Sequence, residues 1–308
     1  MLENIGNILL KNIGAHGTKH ILPGLALTVA VMFPLQAATA GQGPVPLGSA
    51  STFGVLAATT VTSGGATTVN GDLGVSPGNG LTGAPTVNGT THLGDPIAAQ
   101  AQSDLTIAYN NAAGRPGGAA VSGNLGGLTF TPGLYKSTSF LELTSGDLTL
   151  DAQGDPCAVF IFQMQSTLIT TGPRQVILIG GARACNVFWQ VGSSATLGGN
   201  TIFKGNILAY TSITLDSGAM LEGRALAQNG AVSLDANTVT VPIGVALLSA
   251  AVVTGPYTDA IGQSVNPATR TITVPVSGSM QFYRLCSASA LTITRITLSA
   301  GNVVITYN

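Results

Sequence analysis

The sequence predicts a mainly β chain wound as a β-solenoid, and three observations carry that prediction. Between Val187 and Gly244 the chain falls into three similar units, VFWQVGSSATLGGNTIFKG, NILAYTSITLDSGAMLEGR and ALAQNGAVSLDANTVTVPIG. Leu197, Leu215 and Leu234 mark their register at a near-constant spacing, each after a Thr or Ser and before a turn of small residues. A period of about 20 residues, with β-branched runs and small-residue corners, marks coils that bury apolar side chains only against the next coil. Composition agrees. Charged residues make up 7% of the 308-residue chain and glycine contributes 41 positions, against about 25% charge in an ordinary soluble domain. A narrow stacked core under a neutral surface suits such a chain.

Residues 1–40 read as an export leader. Lys11 and Lys19 precede the apolar run ILPGLALTVAVMFPL, and Ala38-Thr39-Ala40 supplies a small-residue cleavage pattern. The run carries Pro23 and Pro34 and falls short of the roughly 20 residues a spanning helix needs. The expected mature chain starts at Gly41 and acts outside the cell. Losing Glu3, Lys11, Lys19, His16 and His20 leaves 9 basic and 11 acidic residues, with His92 the single histidine.

Residues 44–80 are dense in Val, Thr and Gly, and short strands are expected at 53–62 and 67–75 as opening coils. One helix is expected, over 95–113. Asp95 suits the N-cap and Pro96 the first helical position. Ile97, Ala101, Leu105, Ala108, Tyr109 and Ala112 fall on one face, and Gly114 and Pro116 end it. Asp104 lies on the polar face and reads as solvated. Residues 117–186 return to alternating strands, GLTFTPGLYK, SFLELTSGDLTLDAQG and AVFIFQMQSTLITT. Asp147, Asp151 and Asp155 are spaced unlike a calcium loop and read as turn residues. Cys157 and Cys185 bracket one coil's worth of sequence and are candidates for a disulfide, with two buried thiols as the alternative; Cys286 is left over. The expected solenoid domain is 41–244, and residues 245–308 read as a small β module or attachment tail.

The chain lacks the parts of a catalytic centre. With one histidine in the mature chain there is little to activate a nucleophile, and no metal or phosphate motif appears; no cofactor is expected. Asp216 and Asp235 occupy equivalent positions of adjacent coils, where a pair of carboxylates could mimic a glycosidase, but the remaining acids are dispersed. The near-balance of 11 Lys+Arg against 12 Asp+Glu supplies no stripe for nucleic acid.

If the three leucines point inward, alternation turns Thr196, Thr214 and Ser233 outward, with Ser194, Ser212 and Ala231 two residues before them. That face is a flat ladder of hydroxyls and methyls, without the concavity a small-molecule site needs.

The segments LGSASTFGVLAATTVTS…VNGDLGVSPG, AVFIFQMQSTLITT, NVFWQVGSSATLG and GRALAQNGAVSLDANTVT resemble, in chain order over about residues 45–243, the microbial family of secreted ice-binding proteins. The resemblance implies a right-handed, three-faced, discontinuous β-solenoid with a long helix alongside, and a binding site on the flat face away from that helix. Carried onto this sequence, that site comprises Thr60, Thr62, Thr167, Ile169, Ser194, Thr196, Ser212, Thr214, Asp216, Ala231, Ser233 and Asp235. The implied partner is the ice surface with its ordered water, and the implied mechanism is adsorption that halts growth and recrystallisation. A secreted adhesion protein, with the solenoid as scaffold and residues 245–308 as cell-surface or matrix attachment, is the second reading.

Overall fold

Leu197 lies opposite Leu215, and Leu215 opposite Leu234, in parallel strands whose central Thr or Ser faces out. The computed structural model describes residues 7–10, 29–32, 41–267, 269–276, 281–287 and 291–307. It divides into two compact units, one of Gly41–Gln153 with Cys157–Pro242, the other of Ile243–Asn308 with Gly154–Pro156 and Met1–Ala40.

The first unit is the solenoid, and its coils have three faces. The first is an eight-stranded parallel sheet that runs, in spatial order, through Gly123–Asn124, Leu141–Leu143, Leu168–Thr170, Ala195–Leu197, Ile213–Leu215, Val232–Asp235, Thr60–Gly64 and Gly80–Thr82. The other two faces are formed by a twelve-stranded sheet, in which Ile202–Ala209 and Met220–Ala227 run round a corner, and by a three-stranded parallel sheet of Thr129–Phe130, Leu148–Asp151 and Val176–Ile179. Gly205 makes one such corner. Its φ is +113°, and a Cβ there would lie 2.7 Å from Val187 Cγ1 and 2.8 Å from Trp189 Nε1, so only glycine lets the strand bend over the indole.

Chain order and spatial order differ. The coils of residues 53–93 do not open the stack: Thr60–Gly64 pairs with Val232–Asp235, Val55 with Ala225, and Thr68 with Thr238. The seam is held by a buried arginine. Arg224 donates through Nε and Nη2 to Ser51 O at 2.9 and 2.6 Å, and through Nη1 to Asn206 Oδ1 at 2.6 Å. Asn206 in turn donates to the carbonyls of Cys185 and Val187. Burial pushes the Arg224 guanidinium down to about 10.

Inside, equivalent positions stack coil on coil. Tyr135, Phe162 and Trp189 form one row, with ring centroids 5.1 and 4.2 Å apart in stacked geometry. The row continues with aliphatic side chains through Ile207 and Ala225 to Val55 and Leu73.

The helix spans Pro96–Ala113, with Asp95 as N-cap accepting from Ala98 N at 2.8 Å. Ala101, Leu105, Ala108 and Ala112 pack on Phe53, Leu56, Ile161, Phe188, Leu208 and Leu226. Two expectations need correction. Ile97 is 54% exposed and Ala98 takes its place on the buried face, because 98, 101, 105, 108 and 112 follow the helical stripe that 97 leaves by one residue. Asp104 is not merely solvated: it accepts from Ser49 N at 2.7 Å and Ser49 Oγ at 2.6 Å and ties the helix to the 3-10 turn Gly48–Thr52.

The candidate Cys157–Cys185 disulfide is absent. Cys185 is a free, buried thiol, raised above the usual thiol range chiefly by that burial, and Cys157 and Cys286 are the disulfide-bonded cysteines, so Cys286 is not left over. The reason lies in the register. Phe160 pairs with Val187, which makes the coil step here one position shorter than the separation of Cys157 from Cys185. Extended back, that register sets Cys157 level with Ala184.

The second unit has its own core of Leu247, Ala260, Ile272, Val274, Tyr283, Ile305 and Tyr307. One antiparallel sheet joins Thr258–Asp259, Val245–Ala250 and Gln281–Ser287, and the short strands Asn7–Leu10 and Val29–Met32 continue it. The other runs Ser264–Asn266, Thr271–Pro275, Asn302–Tyr307, Ile293–Ser299. Apart from those two short strands, the leader of residues 1–40 and its cleavage pattern at 38–40 lie outside the described residues.

Candidate functional site

The three solenoid faces differ in what already covers them. The first to be excluded carries the helix. The third face satisfies itself: Asn88 Nδ2 donates to Asn70 Oδ1 at 2.7 Å, Asn70 Nδ2 to Thr240 Oγ1 at 2.9 Å, and Lys204 pairs with Glu222. It is also dented by a depression of about 210 Å³ lined by Ile202, Lys204, Met220, Glu222 and Thr238, among others. On the eight-stranded face the outward rows carry mostly short hydroxyl and methyl side chains, half-buried to exposed.

Strand pairing fixes those rows. The central one reads Asn124, Glu142, Ile169, Thr196, Thr214, Ser233, Thr62, Thr82. Two residues earlier in each coil stand Thr167, Ser194, Ser212, Ala231 and Thr60, placed by Leu168 N to Ser194 O, Ala195 N to Ser212 O and Ile213 N to Ala231 O. Two residues later stand Asp216 and Asp235, both exposed on the margin. All the residues carried over from the sequence therefore share one face, across consecutive coils. Neighbouring positions in a row are about 4.8 Å apart.

Local sequence explains the flatness. In Leu141–Leu143, Leu168–Thr170, Ala195–Leu197 and Ile213–Leu215 one outward residue stands between two inward ones. The inward residues are mostly Leu, Ile, Val or Ala, with Thr170, Ser63 and Gly123 among the exceptions. Thr170 is satisfied inside, sharing a hydrogen bond with Thr201 Oγ1 at 2.9 Å and accepting from Gly198 N at 3.0 Å. Outside, the hydroxyls of Thr62, Thr196, Thr214 and Ser233 donate to no protein acceptor among the described residues. Ser194 and Ser212 are partly engaged, their Oγ atoms accepting at 3.3 Å from the backbone N–H of Ser212 and Ala231.

Such a face has free hydroxyls and methyls at a fixed repeat, held by stacking and not by a partner. It can order water in a plane and offers nothing to enclose a small molecule. Asp216 and Asp235 lie on adjacent coils, both exposed at its margin. Among the described residues no three His, Cys, Asp or Glu side chains come together to hold a metal.

Thr82 and Glu142 belong to the central row and escaped the sequence reading. The separation of Thr62 from Thr82 is close to the coil period and was the available signal. Glu142 was hidden because its coil is longer: it pairs with Ile169, a wider step along the chain than those between the three marker leucines.

A discontinuous, helix-flanked β-solenoid with one bare hydroxyl face defines a class of surface-adsorbing protein. A sequence profile of the ice-binding-like family matches residues 55–240, and the chain belongs to that family. An ice-binding protein of Nostoc sp. (strain HG1) is 52% identical over 198 residues, covering 63% of this chain and 73% of that protein. The crystal structure of an ice-binding protein from an Antarctic biological consortium superposes with a TM-score of 0.66 at 54% identity, over 69% of this chain and 96% of its own. That of an ice-binding protein from the Antarctic ascomycete Antarctomyces psychrotrophicus gives a TM-score of 0.62 at 42% identity, over 64% and 98%.

Proposed function

We propose that this protein binds ice through the eight-stranded face and restrains growth and recrystallisation by adsorption. Family membership supplies the activity, and the observation that carries the choice of face is the central row of unpartnered hydroxyls. Water held at these hydroxyls and over the intervening methyls merges with the lattice, and water-mediated contact is nearly as favourable as direct contact. The face is fixed by coil stacking, so little ordering entropy is lost on binding. No bond is made or broken, and the reading includes no enzymatic step.

The leader pattern supports export, with action outside the cell. The module of residues 243–308, which has its own core and three arginines against one aspartate, is the segment suited to attachment at a cell surface or matrix. Retention of the full chain, but not of a chain ending at Pro242, on washed cells is the expected result; equal retention would remove the module from that role.

Ice-affinity partition of the mature chain tests the main proposal, with recrystallisation followed in the same sample. Enrichment in the ice fraction with small, persistent crystals is expected. A folded chain left wholly in the liquid fraction would overturn it.

A further inference from the structure

We infer that the ice-contacting area extends one coil beyond the residues carried over from the family, to Thr82, and that Glu142 sets its opposite limit. The inference rests on the eight-stranded face being the ice surface. The central row holds Thr82, Thr62, Ser233, Thr214, Thr196 and Ile169 without a charge, and its next position is Glu142. Five spacings of about 4.8 Å make the uncharged run about 24 Å long.

Thr82 qualifies as a full member. It is exposed at the end of Gly80–Thr82, with Leu81 beside it packed on the core. Two glycines press this last strand against its neighbour: a Cβ at Gly83, where φ is +87°, would lie 1.9 Å from Ser63 O, and one at Gly78 would lie 2.2 Å from Thr59 O. The terminal coil is thereby level with the coil of Thr62.

Glu142 acts in the opposite sense. Its carboxyl group stands in the same row, steadied by Thr144 Oγ1 at 3.3 Å, and among the described residues no cation pairs with it. A carboxylate keeps a tightly oriented water shell, and pressing it against a solid that offers no counter-charge costs far more than covering a threonine. Along the central row ice contact therefore stops at Ile169; Asp216 and Asp235 are exposed at the margin, outside that row.

Thermal hysteresis of the full chain, with circular dichroism melts as a folding control, tests both limits. Thr82→Tyr is expected to lower hysteresis, and Glu142→Thr to raise it above the parent. Glu142→Gln, which removes the charge and keeps the bulk, is expected to fall between parent and Glu142→Thr. Thr214→Tyr, in the middle of the run, reports on the face itself. Parent-like hysteresis in both Thr82→Tyr and Glu142→Thr, with Thr214→Tyr inactive, would overturn the limits and leave the face standing. Parent-like hysteresis in Thr214→Tyr as well would overturn the face and the limits together. The arms are independent, so if Thr82→Tyr frays its terminal coil the Glu142 pair decides.

Discussion

Arg224 is buried, charged and held by acceptors that lie far from it in sequence, Ser51 O and Asn206 Oδ1. Replacing it with leucine would orphan those acceptors, and each buried unsatisfied group costs about 1–3 kcal/mol. Arg224→Leu is therefore expected to lower the urea midpoint by a margin that Arg174→Leu, at a half-buried position, does not approach. An unchanged midpoint would mean that the seam closes without it. At this scale the sequence was legible wherever period-2 alternation could be anchored: Leu197, Leu215 and Leu234 fix the phase, and Thr196, Thr214 and Ser233 follow. It was not legible for Arg224 or for the cysteines. Nothing local announces that Arg224 reaches Ser51, and a difference of one position between the cysteine spacing and the coil step separates Cys157 from Cys185.

The helix shows the same division at the scale of an element. Its start at Asp95-Pro96 and its stop at Gly114 are written in the sequence, because capping depends on neighbours in the chain. Its attachment through Asp104 and Ser49 joins residues distant in the chain, and had no local signature. Both Asp95 and Asp104 titrate below the ordinary carboxylate range. For Asp95 the cause is chiefly the bond from Ala98 N, with His92 next; for Asp104 burial opposes the shift but the Ser49 bonds prevail. A carboxyl group lowered by folding adds stability that is complete above its unfolded value and is lost as pH falls through the lower, folded one. Thermal stability is therefore expected to drop as pH falls below about 4, and Asp104→Asn is expected to flatten that drop. A melting temperature that stays level from neutral pH down through this window would contradict these ties.

Over the whole molecule, the solenoid class could be read from three coils of regular period. The order of the stack could not, because the coils of residues 53–93 join those of 220–240 through pairings that no local pattern specifies. Yet this join makes the site: it sets Thr62 and Thr82 in line with Ser233, Thr214 and Thr196, and lengthens a short ladder into a face. The longer coils near Glu142 break the rhythm of the three regular ones, so the end of that face was equally hidden.

The central claim is that ice meets this face and no other. The most direct measurement compares ice-affinity partition of Thr214→Tyr with that of Thr238→Tyr, a half-buried position on the third face, at equal concentration and with matched melting curves. The account predicts that Thr214→Tyr is largely excluded from ice while Thr238→Tyr enters it as the parent does. Retention of Thr214→Tyr in ice, or exclusion of Thr238→Tyr alone, would contradict it.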